Sequence, residues 1–117
     1  MSQIITHSGK KIVYVDLSGS KASELPAKIA EAKRLIESQP RESALILTNV
    51  TDVELNSDSS HIMKDFSTHN TPYTRASAVV GIEGLKKIIY AGIQRVTGRN
   101  IPTFNTIEEA KDWLVQQ

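Results

Sequence analysis

The chain alternates between short apolar runs and helical stripes of apolar residues, and this alternation predicts its elements in order. Residues 4–6 and 12–17 are β-branched and apolar, and they flank a polar loop that contains Gly9. This is the pattern of a β-hairpin. Apolar residues then recur at helical spacing from Leu25 to Ile36. Pro40 sets the limit of this first helix, because proline disfavours helical geometry in the residue before it.

Two further apolar runs predict buried strands. Residues 44–50 are almost continuously apolar, which is typical of a strand covered on both faces in a largely parallel sheet. Residues 76–80 form a second such run and end at Gly81. Between the two runs, Ile62, Met63 and Phe66 recur at helical spacing in an otherwise polar segment. They predict a second, less regular helix over residues 59–69.

The last third of the chain has the most regular pattern. A third predicted helix carries one apolar stripe that we expect to face the core. The stripe consists of Leu85, Ile88, Ile89, Gly92, Ile93 and Val96. Gly98 suits the left-handed end of this helix, and residues 100–104 fit a short edge strand in which proline is permitted. Thr106 and Glu109 then predict a capping box at the start of a fourth helix.

The resulting element order is ββαβαβαβα. Strands that are separated by a helical crossover must run parallel, whereas the opening hairpin is antiparallel. The sequence therefore predicts an α/β fold with a mixed, mostly parallel five-stranded sheet and four helices. At 117 residues, the chain is expected to form a single domain over residues 1–117.

Composition restricts the class of partner. Fourteen Lys and Arg residues against thirteen Asp and Glu residues give a net charge of +1, which is unfavourable for a nucleic-acid partner. No apolar run approaches the roughly 20 residues that a membrane span requires, so stable membrane insertion is not expected. The absence of cysteine and of an export signal at the N-terminus favours the cytoplasm.

The residues that could carry chemistry do not form a catalytic or metal-binding pattern. Asp58, Ser59 and His61 lie too close along the chain to converge as orienting carboxylate, nucleophile and base. The histidines His7, His61 and His69 are dispersed and lack metal-ligand spacing. We therefore expect a protein that is not an enzyme, without catalytic residues, metal or cofactor.

The turn between the second buried strand and the third helix is rich in glycine and lysine. Residues 81–87 match neither a dinucleotide-binding nor a P-loop pattern, and turn geometry explains their glycines. The cations on and after the third helix are expected to lie on its solvated face. They are Lys86, Lys87, Arg95 and Arg99.

The element order is accompanied by a C-terminal pattern that indicates a family. Its parts are Ala78-Val79-Val80-Gly81, the Gly98-Arg99 stop, the short strand to Phe104 and the closing Glu108-Glu109-Ala110-Lys111-Asp112-Trp113-Leu114. Over essentially its whole length, the chain resembles the bacterial STAS-like families, which are related to the anti-sigma factor antagonists and to CRAL-TRIO lipid-transfer domains. This resemblance implies a regulatory module that acts through protein–protein contacts, with a protein as its partner.

The same resemblance implies a regulatory site. In the anti-sigma factor antagonists, a serine in an Asp-Ser-Ser-Gly run is phosphorylated at the start of the helix after a central strand. Asp58-Ser59-Ser60 occupies the corresponding place here, with His61 in place of the glycine. Ser59 is therefore the candidate phosphoacceptor. Because serine and aspartate are also preferred helix caps, a plain capping role stays open.

The relationship to CRAL-TRIO domains implies an alternative, namely the binding of a small apolar or amphipathic ligand. Met63, Phe66 and Tyr73 lie on or beside the irregular second helix, where a cover over an apolar pocket would be placed. Ordinary core packing of these side chains stays open as well. The candidate switch or binding region around Ser59 consists of Asp58, Ser60, His61, Met63 and Phe66.

Overall fold

The computed structural model describes residues 2–99 and 101–117, and within them it contains five strands and four α-helices. The strands are β1 (Ser2–His7), β2 (Lys10–Asp16), β3 (Ala44–Asn49), β4 (Thr74–Val80) and β5 (Thr103–Phe104). The helices are α1 (Leu25–Glu37), α2 (Ser57–Asn70), α3 (Leu85–Thr97) and α4 (Ile107–Leu114). The predicted element order and fold class are confirmed.

The five strands form one sheet in the order β1-β2-β3-β4-β5. Strands β1 and β2 are antiparallel and are joined by Ser8 and Gly9, which both have positive φ, as the tightest hairpin turns require. The other neighbouring strands are parallel. Because parallel crossovers are right-handed, an order that always advances in one direction puts α1, α2 and α3 on one face of the sheet. The opposite face is covered by α4.

The core has two parts because side chains alternate between the faces of a strand. Strand β3 is buried along its whole length, as predicted. Its Ile46 side chain belongs to the cluster that also contains the apolar face of α1, whereas Leu45 and Leu47 belong to the cluster formed with α4. Strands β2, β3 and β4 therefore contribute buried side chains to both faces of the sheet.

Helix α3 presents a different face to the sheet than its apolar stripe predicts. Ile88 and Val96 are 72% and 63% exposed, so their predicted core position is wrong. The inward face consists instead of Lys86, Ile89, Tyr90 and Ile93, at i, i+3, i+4 and i+7. The helix is thus rotated by nearly one residue's 100° relative to the predicted stripe. The Leu85 side chain lies outside the described part of the structure.

Most helix ends follow their sequence signals. Gly98 ends α3 with φ 71, as predicted. The hydroxyl of Thr106 accepts from the amide of Glu109 at 3.2 Å, while the Glu109 carboxylate accepts from that hydroxyl at 3.0 Å, rather than from the amide of Thr106. Helix α2 begins at Ser57, two residues earlier than predicted, because Asn56 caps it. The predicted edge strand is shortened to its last two residues, and Asn100 lies outside the described residues.

Candidate functional site

A cavity lies between the sheet and helices α2 and α3. Its volume is about 80 Å³, and it is partly open to solvent. The floor of the cavity is formed by alternate residues of β3 and β4 and by the residue after β3, and the walls come from the two helices. These residues include Ile46, Thr48, Val50, Ser77 and Val79 on the floor, and Met63, Phe66, Ile89 and Ile93 on the walls.

The cavity exists because α3 does not press against the sheet. None of the described side chains of α3 is fully buried, whereas α1 buries Leu25, Ile29, Ala32 and Ile36 completely. Ile89 and Ile93 are only half-buried, although they face the sheet. Close packing normally leaves few voids larger than a water molecule. A space of this size beneath one helix is therefore a distinct feature of the fold.

Polar side chains interrupt the apolar lining. Thr48, Ser67 and Asn70 are only 7%, 9% and 3% exposed, yet all three line the cavity. The side-chain oxygen of Asn70 lies 2.9 Å from Nδ1 of His69. A few polar groups in an otherwise apolar lining are typical of ligand sites.

Arg99 borders the cavity and joins three elements. Its Nη1 donates to the carbonyl oxygen of Ser67 at 2.8 Å, and its Nη2 donates to the hydroxyl of Ser77 at 2.9 Å. The end of α3 is thereby tied to α2 and to β4. Burial lowers the pKa of Arg99 from its usual value, because a guanidinium group that loses hydration is less stable in its charged form.

Lys86 is the other charged residue in the lining. Its Nζ donates to the carbonyl oxygen of Val50 at 3.0 Å, just beyond the end of β3. Both charged side chains among the described lining residues are therefore cations. Their expected place on the solvated face of α3 is wrong, whereas Lys87 and Arg95 are exposed as predicted.

Tyr90 closes the side of the cavity near the end of α3. Its hydroxyl donates to the carbonyl oxygen of Ile101, so the phenol is held against the segment that leads to β5. Burial raises the pKa of Tyr90 above its usual value, and the nearby charge of Arg99 acts in the opposite direction. The phenol is thus a neutral donor at any physiological pH.

Ser59 lies in the capping box of α2 rather than on the protein surface. It is 1% exposed, its amide donates to Oδ1 of Asn56 at 2.9 Å, and its hydroxyl accepts from the amide of Asn56 at 2.7 Å. The hydrogen bonds therefore give this serine a helix-capping role, with Asn56 as the N-cap. Phosphorylation of Ser59 stays a prediction, and it requires the first turn of α2 to open.

The other predicted site residues fall into two groups. Asp58 and His61 are exposed, and His61 lines a shallow groove between α1 and α2, away from the cavity. Ser60 is half-buried and donates to the carbonyl oxygen of Asn56 at 2.9 Å. Met63 and Phe66 both line the cavity. The structure thus separates the candidate switch residues from the candidate binding residues.

The histidines lie apart from one another. His7 contacts Asp112 at 2.8 Å, and His69 contacts Glu37 at 3.1 Å, on different faces of the molecule. In the part of the chain that the structure describes, no three His, Cys, Asp or Glu side chains lie close enough together to hold a metal ion. None of the described helices combines the length and the apolar character needed to cross a membrane.

Comparison with known proteins gives no match: no family model, no curated protein and no solved structure is significantly similar to this chain. The resemblance to the STAS-like families therefore stays a prediction.

The sequence pattern missed most of the polar lining. Thr48 and Ser77 are polar residues inside strands that are otherwise largely apolar, and these interruptions were the available signal. Ser67 and Asn70 carried none, because serine and asparagine are common on exposed helix faces and at helix ends. Arg99 follows the glycine that ends α3. At such a position, sequence alone does not predict the direction in which the side chain extends.

Proposed function

We propose that this domain binds a small organic ligand in the cavity between the sheet, α2 and α3. One observation supports this above all: an apolar cavity of about 80 Å³ is bordered by a few polar side chains, among them those of Thr48, Ser67 and Asn70. Ligand sites are typically apolar spaces with a few convergent polar groups. A cavity of about 150 Å³ accommodates benzene, so this cavity fits a smaller apolar group while the rest of the ligand extends toward solvent.

Binding is a better proposal than catalysis for this cavity. Its described lining contains hydroxyl, amide, ammonium and guanidinium groups, but no carboxylate, imidazole or thiol. General acid–base catalysis most often uses a histidine, and of the other usual groups the described lining offers only Lys86 and Tyr90, both held at carbonyl oxygen atoms of the protein. The two cations are already held at oxygen atoms of the protein, which suits a role in orienting a ligand.

The proposal can be tested by NMR titration of the labelled protein with small aliphatic and aromatic compounds. Chemical shifts should change for amides around the cavity, on β3, β4 and α3. Ile89→Trp fills the cavity and should abolish these changes, whereas Ile88→Trp is the matched control at a neighbouring position that is 72% exposed. Equal responses of the two variants, or shift changes elsewhere in the molecule, would contradict binding at this site.

The protein-contact module that the STAS-like resemblance implies is a second candidate function. It is favoured by the exposed side chains of Ile88 and Val96, which lie two helical turns apart on α3. A photoreactive residue at position 88 should cross-link one reproducible protein from the native host, and the same residue at position 87 should not. Indiscriminate cross-linking from both positions would argue against this function. We propose the cytoplasm as the compartment, since the chain has no cysteine.

A further inference from the structure

We infer that strand β1 pairs with the same strand of a second copy of this chain, so that the two sheets continue into one across a two-fold axis. The pairing is antiparallel, and Ile5 lies opposite Ile5 of the second copy. This contact surface is the free edge of the sheet, away from the cavity, and it goes beyond the proposed ligand binding and does not depend on it.

Strand β1 lies at one end of the five-stranded sheet and pairs with β2. His7 and Lys10 close the two-residue hairpin turn, so they form a hydrogen-bonded pair. Such pairs alternate along an antiparallel ladder with pairs that share no hydrogen bond. The backbone N–H and C=O groups of Ser2, Ile4 and Thr6 therefore point away from β2, toward the free edge of the sheet.

One of these outward groups already has a partner in the protein. The amide of Ser2 donates to Oε1 of Glu31 at 2.7 Å, in agreement with its direction away from β2. Within residues 2–99 and 101–117, no hydrogen bond connects the outward backbone groups of Ile4 or Thr6 to another segment. The N–H and C=O groups of these two residues are therefore available to an added strand.

The sequence of β1 lacks the features that normally protect an edge strand from pairing. Protected edges are very short, or they carry lysine, proline or a bulge. Strand β1 has six residues, none of them lysine, proline or glycine, and its register with β2 is regular. The opposite edge is formed by β5, which has two residues and directly follows Pro102. Only the β1 edge is thus suited to pairing, and a two-fold contact there closes at two copies.

The available backbone groups select one register. When Ile4 of each copy lies opposite Thr6 of the other, their N–H and C=O groups pair, and the bond between Ser2 and Glu31 stays intact. The two Ile5 residues then form a pair without hydrogen bonds, in which side chains lie closest. Ile4, which is 42% exposed, packs beside Thr6, and the half-buried Ile5 packs against its counterpart. Both faces of the edge therefore gain apolar contacts.

The charges at the two ends of the edge also favour an antiparallel second copy. Glu31 lies at the Ser2 end of β1, on the face that carries α1. Lys11 lies beside Thr6, near the hairpin, and it shares that face because Val13, two residues further along β2, packs against α1. Antiparallel pairing brings the acidic end of one copy beside the basic end of the other, whereas parallel pairing would bring like charges together.

The first test is the mass of the protein in solution, measured by sedimentation over a series of concentrations. We expect a species of twice the 12.9 kDa of one chain. Ile4→Lys should raise the dissociation constant at least about tenfold, because it replaces apolar surface buried in the contact by a charge. Ile88→Lys is the matched control, since this isoleucine of α3 is 72% exposed and lies away from the edge. It should leave the dissociation constant unchanged.

A single cysteine reports the register, because the chain contains no other. Two cysteines in an antiparallel pair without hydrogen bonds are close enough for a disulfide, so Ile5→Cys should form a covalent dimer when oxidised mildly with diamide. Thr6→Cys is the control on the same strand. Thr6 lies opposite Ile4 of the second copy, so the two introduced cysteines are offset by about 7 Å along the strand and should not cross-link.

Three results would overturn the inference. The first is the mass of one chain at every concentration up to the millimolar range. The second is a dimer that Ile4→Lys does not weaken, or in which Thr6→Cys cross-links as readily as Ile5→Cys. The third is a chain that stays monomeric and instead binds an extended peptide of another protein along β1. If Ile4→Lys does not fold, the two cysteine variants still decide between these outcomes and the proposed pairing.

Discussion

Gly81 stands at the end of β4, where the chain turns toward α3, and its replacement by alanine should destabilise the protein strongly. Its φ is 96°, a conformation that residues with a side chain rarely adopt. A Cβ atom placed there would also lie 2.7 Å from the Cα atom of Thr51, and it would press against the backbone nitrogen of that residue. Because the obstructing atoms belong to the backbone, a change of side-chain rotamer cannot relieve the clash.

The magnitude follows from these two effects. Positive φ costs a residue with a side chain about 1–2 kcal/mol, and overpacking of an already filled site costs typically about 1–3 kcal/mol. Gly81→Ala should therefore lower the free energy of unfolding by about 2–5 kcal/mol. Domains of this length have a total stability of roughly 6–18 kcal/mol, at about 0.05–0.15 kcal/mol per residue. The variant should thus still fold, with a clearly lower denaturation midpoint.

Gly92→Ala provides the matched control, because it introduces the same atom into a glycine of α3. A Cβ atom at Gly92 would meet nothing within 4 Å, and φ at this position is ordinary for a helix. Alanine should stabilise this helix by up to about 1 kcal/mol. Urea denaturation followed by circular dichroism would measure both changes, with an unchanged slope against denaturant for each variant.

The two glycine variants should therefore change stability in opposite directions. A loss of less than about 1 kcal/mol for Gly81→Ala would refute the close approach of the end of β4 to Thr51, since overpacking alone costs at least that much. A loss of similar size in both variants would show that the effect comes from glycine replacement in general.

Three other changes test the caps and the buried phenol. Ser59→Ala should lower the free energy of unfolding by about 1 kcal/mol because it breaks the capping box. Ser60→Ala should lower it by less. If chemical denaturation gave equal losses for the two variants, this prediction would be wrong. Thr106→Ala should lower the free energy of unfolding by about 1 kcal/mol in the same measurement. An unchanged denaturation midpoint would show that Thr106 does not stabilise α4 as its cap. Above pH 10, stability should fall because the folded state holds the Tyr90 proton more tightly than the unfolded state does. Tyr90→Phe should make stability fall less steeply with pH in this range. A pH profile of stability parallel to that of the unchanged protein would exclude Tyr90 as the cause.

The fold is largely a consequence of local sequence patterns. The continuous apolar run of β3 predicted a strand with helices on both sides, because a strand without a polar face is stable only when both of its faces are buried. Gly98 and Thr106 predicted the end of α3 and the start of α4 through backbone geometry that depends on near neighbours alone. Element order and strand direction followed from the lengths of the connections.

The candidate site was decided by tertiary structure. The rotation of α3 about its axis determines whether Ile88 or Lys86 faces the sheet, and periodicity alone favoured the more apolar of two neighbouring faces. The structure instead turns Lys86 and Tyr90 inward, where carbonyl oxygens of distant segments accept their hydrogen bonds. Sequence by itself thus determined the elements and their order, since those depend on residues close along the chain. The cavity and the polar groups that border it depend on contacts between segments that meet only in the folded protein.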